Sequence, residues 1–292
     1  MFPDEASAVK WFEDVRWPSG HRSCGHCGCS RTIRVPKAKP MPYWCRSCRS
    51  YFSVRTGTTI QNSRLPLQKW VFAIYLYVTH LKGVSSMKLH RDLKVTQKTA
   101  WFMLHRLREA WDEGGFEQFT GPVEADETYI GGKEKNKHAS KKLNAGRGTV
   151  GKSAVVGIKD RETNEVKAQV VEDTTAKTLQ GFVEGHTDKD AQIYTDDALA
   201  YKGIDRPHES VNHSIGEYVR KMAHTNGMES CWSLLKRGYY GTYHQMSPKH
   251  LQRYVNEFSG RHGVRCQDTI NQMQDVVIQM VGKRLMYSDL IE

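Results

Sequence analysis

The spacing of apolar and polar residues predicts three helices in the first part of the chain. Apolar residues recur with the α-helical period in three segments, which are 66–82, 84–93 and 96–112. Pro66 is suited to open the first helix, because the first turn tolerates a residue without a backbone N–H. Only two residues separate the second segment from the third. This pair therefore predicts a helix-turn-helix, with an ordinary helical hairpin as the alternative.

The last of these helices has an apolar and a polar side. Four positions form the apolar stripe, which are Ala100, Leu104, Leu107 and Trp111. Thr96 can cap the helix by accepting a hydrogen bond from its first turn. Gln97 and Lys98 would then face outward near the N-terminal end, where helix-turn-helix proteins contact base edges. These two side chains are therefore candidate DNA contacts.

After the helical region the pattern changes to that of β-strands. Alternation over 123–130 places Glu124, Asp126 and Thr128 on one face of a strand. The other predicted elements are strands at 153–159, 166–172 and 191–195 and a helix at 175–185. The last strand delivers Asp196 at its C-terminal end. This order predicts an α/β domain in which helices pack on a mixed sheet.

Residues 224–240 predict a further helix with two neighbouring stripes. One stripe is apolar and consists of Met228, Cys231, Trp232 and Leu235. The other is polar and consists of Asn226, Glu229, Ser233 and Lys236. A carboxylate and an ammonium group therefore lie two turns apart on one side of the helix. A solvated surface is the alternative interpretation of the polar stripe.

Charge adds information about the partner. The 292 residues include 43 Lys and Arg against 32 Asp and Glu, which gives a net charge of +11 and a pI near 9.3. Such a balance indicates a polyanionic partner, either nucleic acid or anionic lipid. No segment approaches the roughly 18 apolar residues of a membrane span, and the first residues lack the pattern of a signal peptide. We therefore expect a cytoplasmic protein.

The segment 131–152 concentrates part of this positive charge. It holds seven Lys or Arg residues and a single acid, Glu134. Lys141, Lys142 and Arg147 are among the seven. Such a basic segment has two interpretations. It is either a solvated loop or a flexible loop that binds DNA phosphates.

Five of the seven cysteines lie between residues 24 and 48. They include two Cys-x-x-Cys pairs, Cys24 with Cys27 and Cys45 with Cys48. Their separation of 17 residues predicts a four-thiolate zinc site in a reducing compartment, with free buried thiols as the alternative. Cys29 is left over, and His26 could compete as a ligand. Residues 31–45 predict a hairpin, and zinc would supply folding free energy on the order of 10 kcal/mol to so small a module.

Three acids on separate elements are candidates for catalysis. Asp126 lies within the first strand, Asp196 closes a later strand, and Glu229 lies on the helix at 224–240. Two Mg²⁺ ions about 3.5 to 4 Å apart need a few converging carboxylates to activate an attacking hydroxyl and to stabilise a leaving oxygen. Lys236 could bind a phosphate as a point charge on the same side of the helix.

The chain resembles a known family at these residues, the bacterial insertion-sequence transposases that are related to the eukaryotic Merlin elements. Members join an N-terminal zinc ribbon to a ribonuclease H-like DDE catalytic domain. The matching segments are the two Cys-x-x-Cys pairs, EADETYIGGK, YTDDALAY and HTNGMESCWSLLKRGYYGTYHQMSPKHLQRYVNEF. By position, the resemblance implies that Asp126 and Asp196 are the first two acids. It also implies that the helix beginning at Asn226 supplies the third group and Lys236.

The third group is either Asn or Glu in this family, and both types occur here. A carboxylate is the stronger Mg²⁺ ligand, so Glu229 is expected to complete the set, with Asn226 beside it or in its place. The implied cofactors are a structural Zn²⁺ ion and catalytic Mg²⁺ or Mn²⁺ ions. Lys236 would hold a phosphate near the active site.

The resemblance implies a DNA transposase that acts on its own insertion sequence. It would bind the terminal inverted repeats, cleave the ends by metal-dependent hydrolysis and join the 3′-OH ends to target DNA. The implied partners are double-stranded DNA and at least one further copy of the chain, in a synaptic complex at the nucleoid. The alternatives are a ribonuclease H-like nuclease without strand transfer and a catalytically inert DNA-binding regulator.

The expected fold class is α/β, with a zinc ribbon and a helix-turn-helix followed by a ribonuclease H-like mixed sheet with flanking helices. The predicted domains are a zinc ribbon at 1–62, a helix-turn-helix region at 63–116, a catalytic domain at 117–270 and a C-terminal helical tail at 271–292.

Overall fold

The computed structural model describes residues 2–112, 118–132, 136, 138–142, 148–211 and 224–292. Two compact units are present, one built from Met1–Asp112 with Gln267–Glu292 and the other from Glu113–Cys266. Within the described residues, no helix is both long enough and apolar enough to cross a membrane.

The first unit begins with a helix and a small antiparallel sheet. Helix α1 spans Glu5–Arg16, and strands β1, β2 and β3 span Thr32–Arg34, Tyr43–Cys45 and Ser50–Phe52 in that order across the sheet. Asp4 caps α1, since its side chain accepts a hydrogen bond from the backbone N–H of Ser7 at 2.8 Å. The antiparallel pairing of β1 with β2 confirms the hairpin predicted between the cysteine pairs.

The first unit also contains five further helices in its described residues. They are α2 at Leu67–Thr79, α3 at Ser86–Leu93, α4 at Gln97–Ala110, α8 at Thr269–Gln279 and α9 at Ser288–Ile291. Pro66 precedes α2 and offers no side-chain oxygen as a cap. The carboxylate of Glu5 replaces the cap, because it accepts hydrogen bonds from the backbone N–H groups of Leu67 and Gln68 at 2.7 and 2.9 Å.

The predicted pair of helices is present as α3 and α4, which pack together. Thr96 caps α4 as predicted, since its hydroxyl accepts a hydrogen bond from the backbone N–H of Thr99 at 3.1 Å. Lys94, in the connection, has a left-handed backbone with a φ of 50°. The predicted apolar stripe is buried, and its members are Ala100, Leu104, Leu107 and Trp111.

The C-terminal segment is part of the first unit. Helix α8 packs against α1, α2 and α4. Farther along, the ammonium group of Lys283 donates a hydrogen bond to the carbonyl oxygen of Ala110 at 2.6 Å. The ring of Tyr287 meets those of Trp101 and Phe102 edge-on, with centroid distances of 6.2 and 5.7 Å. The predicted C-terminal tail therefore packs on the helices of the N-terminal region.

The second unit is built on a five-stranded mixed sheet. Its strands are β4 at Val123–Ile130, β5 at Ser153–Asp160, β6 at Val166–Val171, β7 at Ile193–Asp196 and β8 at His208–Val211. They lie in the order β6-β5-β4-β7-β8, with β4, β5 and β6 antiparallel and with β7 and β8 parallel to β4. The four predicted strands are confirmed, and β8 is an additional edge strand.

Helices cover both faces of this sheet. They are α5 at Ala176–His186 on one face and α6 at Asn226–Gly238 with α7 at Pro248–Gly263 on the other. One core joins Leu179 of α5 to Ile158 of β5. The opposite core joins Trp232 of α6 to Val155 of β5, and it contains the whole apolar stripe predicted for α6. Three antiparallel strands followed by two parallel ones, with helices on both faces, form a ribonuclease H-like fold.

Strand β5 carries a glycine where α6 packs against it. A Cβ atom at Gly157 would lie 2.7 Å from Met228 Cε and 2.7 Å from two ring carbons of Trp232. Both of these side chains are buried in the core. A larger residue would therefore push α6 away from β5 or force the two side chains out of position.

Gly157→Ala is expected to lower the free energy of unfolding by about 1 to 3 kcal/mol, the usual cost of overpacking a core. Gly181→Ala is the matched control, because a Cβ atom there meets nothing within 4 Å and the position lies inside α5. The control should be neutral or stabilising by up to about 1 kcal/mol. Urea denaturation of both variants measures the difference, and equal stabilities would contradict the packing argument.

Candidate functional site

Four thiols converge beside the small sheet of the first unit. The ligand atoms of Cys24, Cys27, Cys45 and Cys48 all lie within 4.8 Å of one another. The distance from Cys24 Sγ to Cys48 Sγ is 3.7 Å, and that from Cys27 Sγ to Cys45 Sγ is also 3.7 Å. Zinc–sulfur bonds of about 2.3 Å in a tetrahedron require sulfur–sulfur distances of about 3.8 Å. The four side chains therefore fit one structural Zn²⁺ ion, as predicted.

The two other candidate ligands near this site do not belong to the converging group. The imidazole Nε2 of His26 lies 3.2 Å from the carbonyl oxygen of Tyr51. The sulfur of Cys29 accepts a hydrogen bond from the backbone N–H of Arg31 at 3.4 Å. Within the group itself, a hydrogen bond from the backbone of Cys48 lowers the pKa of Cys45 to about 6. The pKa values of Cys24 and Cys27 are raised instead, so the four thiols do not all favour the thiolate, the form that binds zinc, before a cation is present.

Asp126 and Asp196 lie on neighbouring parallel strands of the second unit. Glu124 of β4 pairs with Tyr194 of β7. The same register, continued by two residues, brings Asp126 beside Asp196, which is the last residue of β7. Both aspartates are partly exposed. The strand pairing therefore gathers two of the three predicted acids.

The pKa of Asp126 reports on its neighbours. Burial, followed by the negative charges of Glu127, Asp196 and Glu229, raises the pKa of Asp126 to about 8. A raised carboxylate pKa is expected where several acids lie near one another without a cation. Carboxylate oxygens are also the ligands that Mg²⁺ prefers, and a divalent cation would reverse the shift. The donor atoms of these acids are therefore of the type that binds a divalent cation.

Helix α6 carries the candidates for the third group. Glu229 lies in its first turn and is exposed, and its charge reaches Asp126. Asn226 begins the helix and Lys236 lies near its end, both of them exposed. The polar stripe is therefore open to solvent, as predicted. Glu229 is a residue of this polar stripe whose charge raises the pKa of Asp126.

Glu127 is a further acid of the site, to which the sequence pattern assigns no role. It accepts a hydrogen bond at 2.9 Å from the hydroxyl of Tyr201, a residue that is completely buried. Burial raises the pKa of Glu127. The sequence could have indicated this role of Glu127 only through its position directly after Asp126. Asp197, by contrast, is exposed, and its Oδ1 lies 3.8 Å from Lys202 Nζ.

A buried ion pair fixes the start of α6 next to the acids. Glu124, two residues before Asp126 on β4, is 1% exposed. Its carboxylate accepts hydrogen bonds from Arg161 Nε at 2.9 Å and from the backbone N–H of Met228 at 3.0 Å. Thr225, the residue before α6, gives no side-chain cap. Glu124 therefore satisfies a backbone donor at the start of the helix.

Two further contacts hold the same helix end. The guanidinium group of Arg161 donates a hydrogen bond to the carbonyl oxygen of His224 at 2.7 Å. A Cβ atom at Gly227 would lie 2.7 Å from both Glu124 Oε2 and Lys159 Nζ, so glycine permits the close approach. The sequence pattern predicts the face on which Glu124 lies but gives no sign of its pairing with Arg161.

The predicted base contacts lie at the start of α4. Gln97 and Lys98 are both exposed there, as predicted. Gln97 Nε2 donates a hydrogen bond to Ser86 Oγ at 2.9 Å. Lys98 Nζ lies 4.4 Å from the ring centroid of Tyr287, within the range of a cation–π contact. A side chain of the C-terminal segment therefore borders this surface.

The predicted phosphate contacts lie in the basic segment of the second unit. Lys142 is exposed and follows a short turn at Ala139–Lys141. The side chain of Lys141 and the whole of Arg147 lie outside the described residues.

The family of the chain follows from its similarity to known proteins. The chain matches a transposase zinc-ribbon domain over residues 3–51 and an ISXO2-like transposase domain over residues 118–262. It is 29% identical over 276 residues to an uncharacterised protein in transposable element ISH50 of Halobacterium salinarum. That alignment covers 90% of this chain and 92% of the relative. The two domain models together match about two thirds of the chain and place it among the insertion-sequence transposases with an N-terminal zinc ribbon.

Solved structures are similar to this chain at a low level. One of them is the cryo-EM structure of the simian T-cell lymphotropic virus intasome in complex with PP2A regulatory subunit B56 gamma. The alignment with one of its chains covers 65% of this chain at 14% identity and a TM-score of 0.29. Our chain spans 64% of the length of that chain.

The double variant Cys45→Ser Cys48→Ser is expected to lose its zinc, because it removes two of the four converging thiolates. Metal analysis should find one zinc per wild-type chain and none in the variant. The variant should unfold at a lower temperature than the wild type, since structural zinc supplies folding free energy on the order of 10 kcal/mol.

Cys29→Ser is the matched control for this experiment, because Cys29 lies in the same segment but outside the ligand group. The control should keep its zinc. A wild-type protein without zinc, or a double variant that retains it, would rule out the four-thiolate site.

Proposed function

We propose that this protein is the DNA transposase of its own insertion sequence. It binds the terminal inverted repeats, cleaves the element ends and joins their 3′-OH groups to target DNA. The proposal rests on one observation. The negative charges of Asp196 and Glu229 contribute to the raised pKa of Asp126, within the ribonuclease H-like domain of a transposase family member.

Both chemical steps are phosphoryl transfers that need no covalent enzyme intermediate. In the first, a water oxygen bonds to phosphorus at the element end, and the bond from phosphorus to the 3′ oxygen breaks, leaving a 3′-OH. In the second, this hydroxyl attacks a phosphodiester of target DNA, and the 3′ oxygen of that target linkage leaves. Bound Mg²⁺ or Mn²⁺ supplies charge stabilisation for the attacking and leaving oxygens.

The roles of the residues follow from the donor set. Asp126 and Asp196 hold the cations, and Glu229 completes the ligands with Asn226 as the alternative. The raised pKa of Asp126 supports this assignment, because a group that repels its neighbours when ionised gains most from a nearby cation. Lys236 binds a phosphate along the exposed stripe of α6.

Recognition of the element ends falls to the zinc ribbon and to α3 and α4. Gln97 and Lys98 contact base edges, which is supported by their exposure at the start of α4. Lys141, Lys142 and Arg147 bind phosphates of the DNA backbone. Base contacts give specificity, whereas phosphate contacts give position and salt-dependent affinity.

Transposition brings two element ends together, so the active form is a dimer or a larger synaptic complex in the cytoplasm, at the nucleoid. A nuclease without strand transfer would cut the ends and leave no joined product. An inert DNA-binding regulator would bind without cutting. The gathered carboxylates favour catalysis over the regulator, because burial and mutual repulsion raise the pKa of Asp126 and a bound cation would favour its ionised form.

Asp126→Asn and Asp196→Asn are each expected to reduce cleavage and strand transfer to background, because each removes a carboxylate ligand. DNA binding should stay close to that of the wild type. Labelled element ends in a gel assay with Mg²⁺ or Mn²⁺ measure both steps. Asp197→Asn is the matched control. It should reduce cleavage and strand transfer only slightly, since Asp197 is exposed and paired with Lys202. Full activity of either ligand variant would exclude this pair of ligands.

The third ligand is decided by Glu229→Gln compared with Asn226→Ala. We expect the first variant to be inactive and the second to retain activity, since a carboxylate binds Mg²⁺ more strongly than an amide does. Precleaved ends should be used, so that strand transfer is measured alone. The reverse result, with an active Gln variant and an inactive Ala variant, would assign the role to Asn226.

A further inference from the structure

The outer face of the small sheet is partly apolar and open to solvent. Ile33 of β1 pairs with Trp44 of β2, which pairs with Tyr51 of β3, so their side chains form one row across the sheet. Ile33 is 41% exposed and Tyr51 is 39% exposed. The adjacent positions Tyr43 and Phe52, on the other face, are buried. The sheet therefore turns one face inward and leaves an apolar row on the other.

Three arginines border this row at one end of the sheet. Arg31 directly precedes β1, while Arg46 and Arg49 lie in the turn between β2 and β3. The backbone N–H of Arg46 donates a hydrogen bond to the carbonyl oxygen of Arg31 at 3.0 Å, which brings the two residues side by side. All three are exposed. The ribbon face is defined as these six residues, Arg31, Ile33, Trp44, Arg46, Arg49 and Tyr51.

The surrounding sequence offers no acid to neutralise the arginines. Between Asp14 and Asp92 the chain has fourteen Lys and Arg residues and no Asp or Glu. Among the described contacts, no ion pair involves any of the three guanidinium groups. Four zinc-bound thiolates offset only part of this charge. Because neighbouring like charges repel, a polyanion that binds here would stabilise the folded ribbon.

We propose that the ribbon face binds duplex DNA, with its arginines on phosphates and its apolar row against sugars and base edges. The inference rests on the proposed function and names the surface of the zinc ribbon that contacts the DNA. The charge matches the phosphate backbone, which dominates affinity for DNA. An apolar row beside it provides contacts that do not depend on salt.

The geometry of the two rings favours duplex over single-stranded DNA. Trp44 and Tyr51 meet at 63° with their centroids 4.5 Å apart, so the edge of one ring covers the face of the other. Unpaired bases bind by stacking on open ring faces. The ribbon face offers no continuous platform of that kind, whereas its three arginines suit a double-stranded backbone.

The test uses full-length variants in a fluorescence anisotropy titration with a labelled duplex, between about 50 and 200 mM salt. Arg46→Gln with Arg49→Gln should weaken binding roughly tenfold at the lower salt. It should also reduce the magnitude of the negative slope of log K against log salt by about 1.8, since each lost phosphate contact removes about 0.9. Tyr51→Ala should weaken binding severalfold at an unchanged slope, because it removes no charge.

Lys37→Gln with Lys39→Gln is the matched control, since it removes the same charge from exposed positions between β1 and β2, at the other end of the sheet. The control should retain the wild-type slope. Zinc content and thermal stability are measured for every variant. A loss of zinc in the arginine variant would mean that these side chains serve the metal site and would overturn the inference.

Three other results would also overturn it: unchanged duplex binding in the arginine variant, an equal effect of the lysine control, or tighter wild-type binding to the single strand than to the duplex. Failure of the proposed function is distinguishable from these outcomes. In that case the wild-type chain itself would show neither binding to element ends nor metal-dependent cleavage.

Discussion

The second unit depends on the close contact between the start of α6 and strand β4. Glu124 is buried there, and a buried carboxylate is stable only when its charge and lone pairs are matched. Arg161 and the backbone N–H of Met228 provide that match. Removing one partner of such a pair costs about 3 to 5 kcal/mol, because the other charge stays buried without compensation. The helix start is therefore held in one position, and that position decides how near Glu229 comes to Asp126.

The same closeness brings together acids whose negative charges repel one another. In the acid site, burial and the charges of the neighbouring acids raise the pKa of Asp126. The zinc ribbon also clusters groups that are negative when ionised. Its four thiols lie at separations that suit a tetrahedral ion. The two sites differ in function, because a tetrahedral set of four protein ligands closes a structural site, whereas catalysis needs an open position. Cations thus belong to the stability of one unit and to the proposed chemistry of the other.

Charge is divided between the two units in a way that suits DNA transposition. The acid-free stretch between Asp14 and Asp92 includes the zinc ribbon and α2, and it carries only positive charge. The candidate catalytic acids all lie in the second unit. Affinity for a polyanion can therefore be supplied away from the carboxylates, which repel phosphates until cations are bound.

The sequence by itself determined the elements and sites whose signals are local. The Cys-x-x-Cys spacing gave the thiol cluster, alternation gave β4, and helical periodicity gave the buried stripe of α6. Such signals act over a few residues, because they reflect the geometry of one strand, one helix or one turn. Only the tertiary structure decided which polar side chains are buried together. The pairs Glu124 with Arg161 and Tyr201 with Glu127 are 37 and 74 residues apart. Their partners are set by how the chain packs, and no local pattern encodes what will cover a charged or hydroxyl group once the core forms.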